Sequence, residues 1–129
     1  MKIGEVAYLA NVSIHTIRYY EKLGLLDGTL MKREDNNYRR YTEEVIERIG
    51  MVKKGQLVGF SLTEIKSLLD AWASGELTIE ERISVYAEKV TELDERIREL
   101  QEMRDYLSSK IPLLEAGFEP EFNDVETID

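Results

Sequence analysis

The feature that most constrains this chain is a run of apolar side chains recurring at alternating steps of four and three. Ile79, Ile83, Tyr86, Val90, Leu93, Ile97, Leu100, Leu107 and Ile111 follow this rhythm, with Arg104 as its one polar member. That rhythm lays a narrow stripe along one continuous helix, the seam of a coiled coil. The segment spans 33 positions, and at a rise of about 1.5 Å per residue it is roughly 50 Å long. The roughly 75 residues before it are too few to cover such a stripe, so the seam requires a partner helix. Thr78-Ile79-Glu80-Glu81 reads as a capping box that opens the helix, and Pro112 is expected near its end because it cannot donate the next backbone bond. Glu92 with Arg96 and Asp94 with Arg98 are acid-before-base pairs that solubilise the flanks and identify nothing.

The residues before the seam divide into short elements. Ile3, Val6, Ala7 and Ala10 make the stripe of a first helix, and Asn11 is suited to a positive φ in the turn that follows. Ser13 is expected to cap a second helix that Gly24 closes; Ile14, Ile17 and Leu23 are assigned to its inner side. Tyr20 reads as core. Asp27-Gly28 and Asn36-Asn37 are turn signals within a small β-hairpin. Thr42 is expected to cap a third helix with Val45, Ile49 and Val52 buried and Gly59 past its end. Ser61-Leu62-Thr63-Glu64 is a capping box for a fourth, striped by Leu62, Ile65, Leu68, Leu69 and Trp72, with Gly75 closing it. Trp72 is expected to pack in the core or between units. The resulting divisions are 1–75, 76–111 for the long helix, and an acidic tail, 112–129, carrying Phe118 and Phe122.

Charge and composition exclude several function classes. The net charge is -9, yet residues 1–75 hold 11 Lys+Arg against 10 Asp+Glu, whereas 76–129 hold 6 against 16. The acid is concentrated in the second half, and a phosphate-binding patch is a local property, because charges beyond about 8–10 Å are screened. With no cysteine, disulfides, thiolate metal sites and cysteine nucleophiles are out. His15 is the only histidine and has no second histidine to share a metal. No phosphate loop or converging carboxylate pair is present, so no enzyme, metal or cofactor is expected. No leader or membrane-spanning run is seen, and a soluble cytoplasmic protein is expected.

Several strings together carry a resemblance. Ile3-Gly4-Glu5-Val6-Ala7, Val12-Ser13, Thr16-Ile17-Arg18-Tyr19-Tyr20-Glu21, Gly24-Leu25-Leu26, Tyr38-Arg39-Arg40-Tyr41 and Gly59-Phe60-Ser61-Leu62-Thr63-Glu64-Ile65 resemble the MerR family of transcription regulators. Residues 1–75 resemble it closely, and the long helix does so by architecture. The departures lie between Leu26 and Tyr38, where the segment is longer, lacks prolines and has Asn37 in place of a glycine.

The resemblance implies a mainly α fold: an N-terminal winged helix-turn-helix with a small β-hairpin wing, then a long C-terminal dimerisation helix in an antiparallel coiled coil. It implies a homodimer on a palindromic operator of double-stranded DNA that distorts promoter DNA for RNA polymerase. In such a motif the second helix enters the major groove, with basic and hydroxyl groups nearby gripping phosphates. Ser13, His15, Thr16, Arg18, Tyr19 and Lys22 are then the candidates on that helix. Arg18 is the best base reader, because a guanidinium can bond both O6 and N7 of guanine. Tyr19, Tyr38 and Arg39 match family positions that hold the sugar-phosphate backbone, and Arg33 of the wing and Lys53 or Lys54 of the third helix are further phosphate candidates. Ile83, Tyr86, Val90, Leu93, Ile97, Leu100 and Leu107 are the dimerisation candidates. The effector stays open between a small molecule at the dimer arm, a protein partner and none; with 18 residues after Ile111, a large drug pocket is not expected. The alternative reading is a coiled-coil interaction module, or an effector-independent repressor, built on the same helix-turn-helix.

Overall fold

Three hydroxyl side chains fix where helices begin. The computed structural model of the protein describes residues 1–27, 31–33 and 39–119, with the backbone alone for 31–33 and 39. Ser13 Oγ accepts from the Thr16 N–H at 3.0 Å, Ser61 Oγ from the Glu64 N–H at 3.1 Å, and Thr78 Oγ1 from the Glu81 N–H at 3.1 Å. They open α2 (Ile14–Lys22), α4 (Leu62–Ala73) and α5 (Ile79–Glu115). The box at α4 is complete, since the Glu64 carboxylate accepts the Ser61 N–H at 2.9 Å. α1 (Ile3–Ala10) and α3 (Glu44–Leu57) start without a side-chain cap.

Thr42 does not cap α3 as its sequence position suggested. Glu43 is the N-cap residue and already has helical φ and ψ. Thr42 instead accepts the Val45 N–H on its carbonyl, and its hydroxyl donates to the Glu44 carboxylate at 3.3 Å. The chain arrives from a strand, so the first turn closes on main chain before a side chain at that position can turn inward.

The chain divides into two units, Met1–Arg82 and Ile83–Asp129. In the first, Val6, Ile17, Leu25, Val45, Ile49 and Val52 are fully buried and Tyr20, Tyr41, Phe60, Ile65 and Leu69 nearly so. α1 lies against α2 and α3, and α3 against α4. Asn11 ends α1 in the left-handed region at φ 54°, which lets α2 leave at a sharp angle. Gly24 does the same beyond α2 at φ 77°. Gly55 permits a close approach of α3 to α4, for a Cβ there would sit 2.8 Å from Ile65 Cδ1.

β1 (Met31–Arg33) and β2 (Arg39–Tyr41) form an antiparallel hairpin in the register Met31 with Tyr41, Lys32 with Arg40 and Arg33 with Arg39. The Met1 carbonyl accepts the Tyr41 N–H, and the Met1 ammonium donates to the Tyr41 carbonyl, both at 2.7 Å. The Asn36-Asn37 turn and Gly28 lie outside the described residues.

One expectation is corrected, that Trp72 lies in the core. Trp72 is 58 % exposed, outside the core of its unit. In α4 the buried line runs through Ile65 and Leu69, and Trp72 lies one turn beyond the crossing with α3. α5 runs to Glu115, with Pro112 in its last turn, near the end as expected. Proline there forfeits a single backbone bond, and the end is secured by other means. Phe118 N–H donates to Leu113 O at 2.9 Å and Gly117 N–H to Leu114 O at 3.0 Å, the paired bonds of a Schellman stop. Among the described residues no helix is long and apolar enough to cross a membrane.

Candidate nucleic-acid interface

The outward side of α2 follows from what its inward side must bury. Ile17 and Tyr20 point into the core, and Tyr20 adds a hydrogen bond from its hydroxyl to Gln56 Oε1 of α3 at 3.0 Å. Burial pushes that hydroxyl above the ordinary tyrosine range, so it stays a donor. With those two turned in, His15, Arg18, Tyr19 and Lys22 fall on the exposed side. Among the described residues none of these four side chains has a hydrogen bond or ion pair. Ser13 and Thr16 sit at the head of the same helix, their hydroxyls 2.9 Å apart. Ile14, assigned inward from the sequence, is 39 % exposed and joins the outer row beside Arg18. At the first helical position it precedes the level at which α1 covers α2; the helical period alone does not reveal this.

The hairpin is tied to this helix. Tyr41 is buried and its hydroxyl donates to the Glu21 carboxylate of α2. Arg48 of α3 donates to the Leu25 carbonyl at 3.3 Å, holding the strand-ward exit of α2. The backbones of Arg33 and Arg39 face each other across the hairpin, but their side chains and all of Tyr38 lie outside the described residues.

The two lysines of α3 separate cleanly. Lys53 Nζ donates to the carbonyls of Ala10 at 3.2 Å and Asn11 at 3.3 Å, satisfying the C-terminal end of α1. Lys54 is exposed, and both lysines border an open, largely apolar groove of about 450 Å³ with Leu9, Ile46, Gly50 and Leu57. Of the pair, Lys54 is the more exposed.

The seam of α5 is exposed in the single chain. Ile83, Tyr86, Val90, Leu93, Ile97, Leu100 and Leu107 are all exposed, from 36 % at Leu93 to 64 % at Leu107. Seven large apolar groups in one line on one helix leave a face that water does not favour.

A helix-turn-helix with an attached hairpin, followed by a long helix, is also what known proteins show. The sequence profile of the MerR HTH family regulatory protein matches residues 1–72, and that described as MerR, DNA binding matches residues 46–110. This chain belongs to the MerR family. It is 36 % identical over 104 residues to the HTH-type transcriptional regulator ZntR of Escherichia coli K12, covering 80 % of this chain and 72 % of that protein. Among solved structures it is similar to a transcription regulator from Ralstonia metallidurans in complex with lead(II), with TM-score 0.74, 27 % identity and 84 % of each chain covered. It is also similar to HiNmlR, a MerR family regulator lacking the sensor domain and bound to promoter DNA, with TM-score 0.62, 27 % identity, and 89 % and 86 % of the two chains covered. As a MerR protein the chain is a DNA-binding transcription regulator with a mainly helical, winged helix-turn-helix fold.

Proposed function

We propose that this MerR protein works as a homodimer on a palindromic operator, each α2 entering the major groove of one half-site, and that it controls transcription by distorting promoter DNA for RNA polymerase. The carrying observation is the outer row of α2, where His15, Arg18, Tyr19 and Lys22 are exposed and unengaged among the described residues. Long polar side chains held on a rigid helix without internal partners suit an external polyanion. Arg18 reads a base edge, with guanine as the favoured partner. Ile14 beside it suits the methyl group of thymine. Ser13, Thr16, Tyr19 and Lys22 hold the sugar-phosphate backbone, joined by Lys54 from α3 and by Arg33, Tyr38 and Arg39 from the wing.

The seam of α5 supports dimerisation, because its exposed apolar face needs a second helix and a self-complementary stripe is supplied by another copy. Two units on two half-sites place base pairs between them under strain. Sequence then matters there through deformability, at a cost of several kcal/mol offset by contacts. We assign the protein no catalytic role and place it in the cytoplasm. A signal read through cysteine thiolates is unavailable to these 129 residues; a small ligand, a protein partner or regulation without effector are the routes left.

The test is a footprint of the purified protein on the DNA flanking its own gene at two salt concentrations. A protected two-fold-symmetric site between promoter elements, weaker at the higher salt, is the expected result. Absence of protection at both, together with retained protein partners, would favour the interaction module.

A further inference from the structure

α1 and α3 run side by side in the same direction. Met1 bonds to Tyr41 just ahead of α3, and Lys53 of α3 bonds to Ala10 and Asn11 at the far end of α1. Between the two helices lies the open groove of about 450 Å³, and no residue of α2 lines it. Its α3 side is a single face, since Ile46, Gly50, Lys53, Lys54 and Leu57 follow at steps of three and four. They cover about 16 Å, roughly three turns. Leu9 and Ala10 close the groove from α1. Leu9 is 55 % exposed and Leu57 78 %. At Gly50, in the middle, a Cβ would meet nothing within 4 Å, so an incoming side chain has room there.

The shape selects the kind of occupant. A hydrated phosphate backbone does not cover an apolar floor. So open a groove encloses too little of a small molecule to hold it. An amphipathic helix, by contrast, lays side chains at i, i+4 and i+7 into a groove of this length.

Charge sets the chemistry of that helix and its direction. In a chain of net charge -9, the groove is lined by two lysines and, among the described residues, by no carboxylate. Both lysines stand at the C-terminal end of α3, whereas Glu5 of α1 and Glu43 and Glu47 of α3 lie toward the other end. Lys53 commits two of its three donors to α1 carbonyls and keeps one, and Lys54 is exposed. The C-terminal ends of α1 and α3, with their partial negative charge, meet at the same place. A docking helix is therefore favoured with its N-terminus here and acidic residues in its first turn, antiparallel to α3.

We propose that this groove docks an amphipathic protein helix of about three turns with an acidic first turn, its carboxylates on Lys53 and Lys54. Lys54 cannot hold a carboxylate and a phosphate at once, so docking removes one backbone contact from the operator complex. That exchange rests on the DNA reading above, and the docking does not.

The probe is a fluorescent synthetic peptide of about four turns, with glutamates in its first turn and leucines at i, i+4 and i+7, titrated by anisotropy into the full-length protein. Saturable binding that weakens as salt rises is expected. Moving the glutamates to the last turn is expected to weaken it about tenfold. Gly50→Phe sends a ring into the open space of the groove, and Leu57→Asp puts a carboxylate at an already exposed position. Each is expected to weaken binding by about tenfold or more while the melting temperature does not fall. Binding that neither substitution changes, or no saturable binding at all, would overturn the proposal. Binding seen only after residues 119–129 are removed would also overturn it, in favour of the acidic tail as occupant. With operator present, saturating peptide is expected to lower the slope of log affinity against log salt by about 1, and an unchanged slope would remove the exchange.

Discussion

Lys53 and Lys54 are neighbours in sequence with different structural work. Lys53 satisfies two carbonyls at the end of α1, where the helix turns into α2. Lys54 faces solvent. Replacing Lys53 with Met is expected to lower unfolding stability by about 1 kcal/mol per lost bond, as read by chemical denaturation. Lys54→Met is expected to leave stability unchanged, to weaken operator binding uniformly across sequences and to reduce the slope of log affinity against log salt by about 1. A stability loss at 54 and none at 53 would reverse these assignments. The sequence shows two lysines and no way to tell them apart, because the distinction depends on α1 ending within reach of α3. Ile14 was illegible for a related reason: periodicity assigns a side to each residue, whereas cover depends on where the neighbouring helix stops.

The helices themselves were legible where their signals are local. Ser13, Ser61 and Thr78 each accept a first-turn N–H as their spacing implies, and Asn11 adopts the left-handed turn. Thr42 was misread, since a strand leads directly into α3, whereas Pro112 does mark the last turn of α5, which a Schellman stop closes. The crossing of α3 and α4 was not visible in sequence at all, because it depends on an absent side chain at Gly55. Gly55→Ala gains about 0.8–1 kcal/mol of helix propensity. It also drives a methyl into the buried Ile65, at about 1–3 kcal/mol for overpacking. A net loss of about 1 kcal/mol is expected. Gly50→Ala, with nothing near the added methyl, should raise the melting temperature. A rise for both would mean that the crossing tolerates more volume than its geometry implies.

For the whole molecule, the homodimer proposed here couples binding to DNA and pairing of chains through α5. A carboxylate in the seam, as in Val90→Glu, is expected to yield a species of single-chain mass by light scattering while the winged unit stays folded. Operator affinity should then fall by a factor of about 10²–10⁴, because the second half-site is no longer presented at high effective concentration. A variant that stays dimeric would remove the seam from the interface. The need for a partner was legible from the seam alone, since its length exceeds what the preceding residues can cover. Trp72, by contrast, is exposed in the single chain, and no local pattern distinguished it from the core residues of its own helix.

Tyr41 is held from two sides, by its backbone to Met1 and by its hydroxyl to the Glu21 carboxylate. A hairpin hinged freely beside α2 would adjust to whatever duplex it met. One fastened in this way presents its contacts at a set distance from the recognition row, so the adjustment passes to the nucleic acid. In the docking proposed here, operators with pliant pyrimidine–purine steps are then preferred over stiff adenine tracts that display the same contacted bases.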